Sequence, residues 1–176
     1  NAVARWGNIW GNRIKNSLFL VDDSGHVSSF GGQITFPATQ VASAGANVLD
    51  DYEEGTYTPV LTFGGASTGI TYVTQTGVYT KEGNIVNCFG YVNLSAKGTS
   101  VGSAELSLPF AASATGLRGG YGGGSNFNAI SALIGLINGA VSAVSINIQG
   151  ASSVAGLGDA NFNNNTNFWL TSPYNV

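Results

Sequence analysis

Residues 71–94 read Thr71-Tyr-Val-Thr-Gln-Thr-Gly-Val-Tyr-Thr-Lys-Glu-Gly-Asn-Ile-Val-Asn-Cys-Phe-Gly-Tyr-Val-Asn-Leu94. Valine, isoleucine, threonine and aromatic residues dominate this stretch, and these residues favour β-strands. The tripeptide Glu82-Gly-Asn84 interrupts it with the residue types of a tight turn. The stretch therefore predicts strands on both sides of a turn at Gly83.

The rest of the chain after residue 57 follows the same pattern. Short runs of valine, isoleucine, threonine, tyrosine and phenylalanine alternate with glycine, serine and asparagine about every 8–12 residues, which is typical of sandwiches and barrels. No long window in this part of the chain has the periodicity of a helix. We therefore predict an all-β fold, with an antiparallel, β-sandwich-like domain.

The hairpin at residues 129–148 carries the strongest turn signal of the chain. Asn138-Gly139 favours a type I′ turn, whose two central residues need positive φ. Folding about this turn pairs Leu133 with Val144 on one face and Ile134 with Ala143 on the other. Both faces are apolar, and such a sheet must be covered on both sides. We expect the domain core on one face and a neighbouring subunit on the other, with the interface formed by Ala132, Ile134, Leu136 and Val141.

The composition also points to an interface between subunits. Charged residues make up 9% of the 176 residues, against roughly 25% in an average globular protein. A monomer with so few charges would expose a large uncharged surface, so we expect part of it to be covered by other subunits. The net charge of −3 and the six scattered basic residues argue against binding of nucleic acid. The uncharged span 119–158 is too rich in glycine, serine and asparagine for a membrane-inserted helix.

Several kinds of catalytic or metal site are excluded or disfavoured. The single Cys88 rules out an internal disulfide and a cysteine-based zinc site, and is expected to be a small core residue. The single His26 rules out a pair of histidine zinc ligands and leaves little basis for a nucleophilic triad. Residues 159–163 match only the first half of a calcium loop, because position twelve is Leu170. We expect no catalytic residues, no metal and no cofactor. The absence of methionine predicts that the sequence is a fragment of a longer protein.

A second informative stretch is Leu49-Asp-Asp-Tyr-Glu-Glu-Gly-Thr-Tyr-Thr-Pro59, which holds four of the nine carboxylates. Carboxylates four or five residues apart in a connecting segment rarely have the fixed geometry that catalysis needs, so we expect a solvated or capping loop. This stretch, with Phe36-Pro-Ala-Thr-Gln40 before it and Gly69–Tyr72 and Gly77–Asn84 after it, resembles the C-terminal region of tail fibres and tailspikes of tailed bacteriophages. The resemblance covers roughly residues 30–110.

The resemblance implies an architecture and a location. It implies an intertwined homotrimer at the distal end of a tail fibre in the virion, joined to the rest of that fibre. Residues 1–36 would be a shaft segment with a small hairpin, residues 37–56 a linker with the acidic cluster, and residues 57–176 the tip domain. In such a shaft, Trp6 and Trp10 would lie in the trimer interface.

The sequence also contains candidate residues for binding a sugar. Protein sites for sugars use aromatic faces against the apolar side of the ring and polar side chains for its hydroxyl groups, and such sites usually lie on loops of a rigid scaffold. One predicted loop includes Gly119–Gly124, which would present a tyrosine. The two candidate regions comprise Arg118, Tyr121, Asn126 and Phe127, and Asp159, Asn161, Asn163, Asn164, Asn165 and Trp169.

We therefore predict a non-enzymatic tail fibre tip that attaches the phage to a bacterial surface polysaccharide, either capsule or lipopolysaccharide, or to an outer-membrane protein. Three weak sites on one trimer would give avidity. Two alternatives stay open: a trimerisation cap of the fibre without receptor binding, and a fragment of a polysaccharide depolymerase.

Overall fold

The computed structural model describes residues 20–21, 27–28, 36, 51–115, 119–128, 133–136, 142–149 and 154–176. The chain divides into two compact units, Asn1–Phe36 and Pro37–Val176. The described residues of the first unit are Phe36 and an antiparallel pair of β1 (Leu20–Val21) and β2 (Val27–Ser28). This antiparallel pairing agrees with the small hairpin predicted within residues 1–36.

The second unit contains a ten-stranded sheet whose pairings are all antiparallel. Its strand order is β3-β5-β6-β12-β8-β9-β10-β7-β4, and β11 pairs with β10. The strands are β3 (Tyr52–Tyr57), β4 (Leu61–Phe63), β5 (Ile70–Glu82), β6 (Ile85–Lys97), β7 (Ala104–Ser107), β8 (Gly120–Ser125), β9 (Leu133–Leu136), β10 (Ala143–Gln149), β11 (Val154–Gly156) and β12 (Asn167–Asn175). A single turn of 3-10 helix lies at Asp159–Asn161. The prediction of an all-β, antiparallel fold is confirmed.

The hairpin of β5 and β6 is built as the sequence predicts. Gly83 has a φ of +57° at the turn between the strands, a backbone conformation that residues other than glycine rarely adopt. On β6, Val86, Cys88, Val92 and Leu94 are buried, and the residues between them lie on the opposite face. This alternation gives the hairpin one core face and one outer face.

The sheet folds over so that its two ends enclose one core. A Cβ atom at Gly90 of β6 would lie 3.3 Å from Leu106 of β7, although these strands are not neighbours in the sheet. The Tyr72 hydroxyl of β5 likewise accepts the N–H of Leu61 on β4 at 3.0 Å. β-strands from both ends of the sheet therefore face each other across the buried side chains.

A group of phenylalanines fills one end of this core. The Phe162 ring lies at the centre of the group, with its centroid 5.0 Å from those of Phe63 and Phe127 and 5.8 Å from that of Phe168. The Phe127 and Phe168 centroids are 6.0 Å apart. Three of these contacts are edge-to-face, the arrangement that aromatic quadrupoles favour. The 3-10 helix and the end of β12 are thereby fixed to the core.

Two elements differ from the sequence prediction. The sequence predicts a loop at residues 120–125, but Gly120–Ser125 forms strand β8. The strand forms because its glycines allow an unusually close approach to β12. β9 and β10 pair as an antiparallel hairpin, but Leu133 lies opposite Ile148 and Ile134 opposite Asn147, so the predicted register was wrong by four residues. Along its other edge, β10 also pairs with β7 and β11. These pairings constrain the position of β10, and the turn residues Asn138-Gly139 carry no information about them.

The acidic stretch is part of the sheet rather than a separate solvated segment. β3 begins at Tyr52, inside the predicted linker, and pairs with β5 from Tyr52 opposite Glu82 to Tyr57 opposite Gly77. Glu53 and Glu54 lie on this strand and are exposed. Asp51, just before it, is buried. No helix in the described part of the chain is both long and apolar enough to cross a membrane.

A buried ion pair fixes the point where β3 enters the sheet. Lys81 of β5 contacts the Asp51 carboxylate, and the two side chains are only 9% and 8% exposed. The Asp51 carbonyl also accepts the Gly83 N–H at 2.9 Å. Since isolated buried charges are costly, each partner depends on the other.

We expect the substitution Lys81→Met to lower the free energy of unfolding by about 3–5 kcal/mol, because it leaves the Asp51 charge buried without a partner. The double variant Asp51→Asn/Lys81→Met should lose less free energy of unfolding than the sum of the losses in the single variants Asp51→Asn and Lys81→Met. Lys97→Met is the matched control, since the ion pair of Lys97 with Asp159 is 3.7 Å long and its side chains are 30% and 25% exposed; it should cost about 0–1 kcal/mol. Urea unfolding measures all four, and equal losses for Lys81→Met and Lys97→Met would contradict the assignment.

Candidate functional site

The outer face of the sheet carries a group of three aromatic rings, here called the aromatic face: Phe89 of β6, Tyr121 of β8 and Trp169 of β12. The Phe89 and Trp169 rings are nearly parallel, at 22°, with centroids 6.2 Å apart. The Tyr121 ring meets Trp169 edge-on at 5.9 Å. Tyr121 is 66% exposed and Phe89 is 38% exposed. Large aromatic side chains are thus held at the surface in a fixed arrangement.

The glycines of β8 create the space for this arrangement. A Cβ atom at Gly120, Gly122 or Gly124 would lie 2.2–2.3 Å from a main-chain carbonyl oxygen of β12, so other residues would force the strands apart. At Gly123 a Cβ atom would lie 3.3 Å from the indole nitrogen of Trp169. Tyr121 is the only residue in Gly119–Gly124 that is not glycine. It lies opposite Thr171 in the register of β8 and β12.

A depression of about 210 Å³ adjoins Phe89 on this part of the sheet. It is lined by Val78, Tyr79, Thr80, Asn87, Cys88, Phe89 and Thr171. Sequence reasoning did not select Phe89 or Asn87 as site residues. The available signal was the alternation along β6, because residues that alternate with buried Val86 and Cys88 must lie on the outer face.

Tyr121 and Trp169, one residue from each predicted binding region, lie on the neighbouring strands β8 and β12. Trp169 is opposite Gly123 and Asn167 is opposite Ser125, so β12 runs beside β8 from the aromatic face towards Asn126. The Asn167 side chain donates a hydrogen bond to the Ser125 hydroxyl at 2.9 Å. The fold therefore brings Tyr121 and Trp169 together, although they are distant in sequence.

The predicted asparagines mainly bind other parts of the chain. The Asn163 amide donates to the Asn126 carbonyl at 2.9 Å and to the Asn128 side chain at 3.0 Å. The Asn126 amide donates to the Asn165 carbonyl at 3.0 Å. Asn126 also has a φ of +63°, a conformation that asparagine adopts more readily than most residues. This network, together with the bond from Thr166 to the Asn126 carbonyl at 2.8 Å, fastens two loops to each other.

Asp159, Asn161 and Asn164 have similar internal partners. Asp159 accepts the Gly102 N–H at 2.9 Å and forms the ion pair with Lys97. Asn161 accepts the Gly158 N–H at 3.1 Å at the start of the 3-10 helix. Asn164 accepts the Lys97 N–H at 3.1 Å. These polar groups hold loops in place.

The remaining predicted residues are placed as follows. Phe127 is half-buried against Phe162 and Phe168 and belongs to the aromatic core. Ile134 and Leu136 lie in β9, with Ile134 opposite Tyr121 in the register. Arg118 and the interface candidates Trp6, Trp10, Ala132 and Val141 lie outside the described residues, as do His26 and the turn at residues 138–139.

Three ionisable groups of the acidic strand and the core have defined surroundings: Glu53, Glu54 and Cys88. Glu53 accepts a hydrogen bond from the Tyr79 hydroxyl and Glu54 accepts one from Tyr52, and these bonds raise the pKa of both tyrosines. Cys88 lies in the core, as predicted, and burial raises the pKa of its thiol to about 11, so the thiol is protonated at neutral pH. No group of three histidine, cysteine, aspartate or glutamate residues that could hold a metal occurs in the described ranges.

Comparison with solved structures gives a similarity of fold. No protein-family model and no curated protein matches this chain. The chain is similar to the crystal structure of Dettilon tailspike protein (gp208), with a TM-score of 0.53 and 20% sequence identity. The similarity covers 70% of this chain and 24% of that chain, so this chain spans about a quarter of that protein. At this identity, the similarity shows a shared fold.

We expect Gly122→Ala to destabilise the domain by about 1–3 kcal/mol, because the added methyl group overlaps the Trp169 carbonyl and overpacks β8 against β12. Gly123→Ala is the matched control on the same strand. Its methyl group meets only side-chain atoms of the Trp169 indole, at 3.3–3.4 Å, so it should cost less. Thermal unfolding of both variants tests the strand pairing, and a greater loss for Gly123→Ala would contradict it.

We expect Asn163→Ala to cost about 1–2 kcal/mol, because it removes two donated hydrogen bonds that hold the loop at Asn126. Asn165→Ala serves as the comparison, since Asn165 joins the network through its main-chain carbonyl. Denaturant unfolding gives both values. If the two substitutions have the same effect, the Asn163 side chain does not fasten the loops.

Proposed function

We propose that this chain is part of a phage tail-associated adhesion protein that attaches the virion to a glycan on the bacterial surface. The pair formed by exposed Tyr121 and half-buried Trp169 on the outer face is the observation that carries the proposal. The two residues were selected from sequence as sugar-binding candidates and lie 5.9 Å apart, ring to ring, on the outer face. The resemblance to tail fibres and tailspikes and the fold shared with a tailspike support the same assignment.

The binding would rest on packing of sugar rings against aromatic side chains. A rigid sheet holds the rings in place before binding, so little conformational entropy is lost when a glycan docks. Each site would be weak. In the proposed homotrimer at the distal end of a tail fibre, three such sites would act together through effective concentration.

A catalytic role is disfavoured by the geometry of the acidic stretch. Glycosidases need two carboxyl groups on opposite sides of a bond. Asp51 is buried in its ion pair, and Glu53 and Glu54 are neighbours on β3 that accept hydrogen bonds from tyrosines. Attachment without cleavage is therefore the function that we propose.

A trimerisation cap is the second candidate, and one observation favours it. Ile134, a predicted interface residue, lies opposite Tyr121 in the register of β8 and β9. The predicted subunit interface is therefore adjacent to the aromatic face. In this second function, a neighbouring subunit would cover Tyr121 and Trp169.

We expect the double variant Tyr121→Ala/Trp169→Ala to bind cells at least about tenfold more weakly, because central aromatic contacts commonly carry about 2 kcal/mol or more. The assay is flow cytometry of labelled protein on a panel of bacterial strains, followed by competition with phage adsorption on the strains that bind. Val101→Ala is the control, since Val101 is an exposed apolar residue, 71% accessible, in a different part of the surface.

The native mass of the same variants separates the two candidate functions. Attachment predicts lost cell binding with an unchanged mass in sedimentation equilibrium. A cap predicts that the double variant falls apart into smaller species. Full cell binding by the double variant would contradict the proposed site.

A further inference from the structure

We propose that the aromatic face continues across β6 to β5 as an extended subsite for an uncharged oligosaccharide, with Phe89 and Asn87 as contact residues beside Tyr121 and Trp169. This inference rests on the proposed function and adds to it the class of glycan and the second half of the site. Neither Phe89 nor Asn87 is among the sugar-binding candidates predicted from the sequence.

The register places Phe89 and Tyr121 in one row across four strands, with Asn87 and Trp169 in the adjacent rows on either side. Val78 lies opposite Phe89, Phe89 opposite Thr171, and Thr171 opposite Tyr121. Neighbouring strands are about 4.8 Å apart, so this row spans about 14 Å. The row is therefore long enough for a short oligosaccharide rather than a single sugar.

The row combines apolar surface with polar side chains. Val78 is 49% exposed and Phe89 is 38% exposed, and the depression beside them is bordered by Thr80, Asn87 and Thr171. The Thr171 hydroxyl donates to the Cys88 carbonyl at 3.1 Å, which leaves its oxygen able to accept from a ligand. Among the described residues, Asn87 and Thr80 make no side-chain hydrogen bond, so their amide and hydroxyl groups are available to sugar hydroxyls.

The charges of the described residues select the class of glycan. The row through Phe89 and the next row, with Tyr91 and Trp169, contain no charged residue. The carboxylates nearest in register on this face are Glu54, opposite Thr80, and Glu82, opposite Ile85. Both are negative and would repel an acidic polysaccharide. An uncharged saccharide is therefore the occupant that this surface fits.

A binding experiment on the intact chain tests the subsite. The probe is an array of immobilised neutral and acidic oligosaccharides, followed by calorimetry with the best neutral ligand at low and high salt. We expect binding to neutral glycans that is insensitive to salt. Asn87→Ala and Phe89→Ala should each weaken it about tenfold. Val101→Ala is the control, and circular dichroism checks that each variant is folded.

The outcomes distinguish this inference from the proposed function. Binding only to acidic glycans, or binding that falls steeply with salt, overturns the uncharged class while cell attachment stands. Unchanged affinity in both Asn87→Ala and Phe89→Ala, with loss in Tyr121→Ala, overturns the extended subsite alone. A change of native mass in folded Phe89→Ala shows that a second copy covers this face. Absence of binding to any cell or glycan defeats the proposed function and the inference with it.

Discussion

The pairing of β12 with β6 is the constraint on which the rest of the structure depends. It joins the C-terminal strand to the first long hairpin over nine residue pairs, from Asn167 opposite Asn93 to Asn175 opposite Ile85. On its inner face β12 supplies Phe168, Leu170 and Tyr174 to the core. On its outer face the same strand supplies Trp169. Since side chains alternate along a strand, one register determines both the core and the candidate site.

Rigidity of the site follows from this arrangement. Trp169 lies between two fully buried or nearly buried neighbours, Phe168 and Leu170, so its backbone is held by the core. Tyr121 is held by the close approach of β8 to β12. The candidate site is therefore built from strands, whereas the loop asparagines near it serve to connect segments. This differs from the usual arrangement in which loops carry the binding residues.

Residue types and turn residues in the sequence predicted the parts of the fold that depend on interactions between residues close together in the chain. The residue types of β5 and β6 and the turn at Gly83 were sufficient for the main hairpin and for the all-β class. They were insufficient for β8, because glycine is a poor strand residue and only contact with β12 explains it. They were also insufficient for the β9–β10 register, which depends on other strands. Asn126 and Asn165 are 39 residues apart, so no local pattern could reveal their hydrogen bond.

The edges of the sheet constrain how copies of this chain could associate. β3, at one end, places Glu53 and Glu54 along an exposed strand, and β4, at the other end, is three residues long. Charged and very short edge strands discourage pairing with another chain. Association of the described domain should therefore use the faces of the sheet rather than its edges. Because the predicted interface strand β9 adjoins β8, a trimer formed through that face would place each aromatic face beside a subunit boundary.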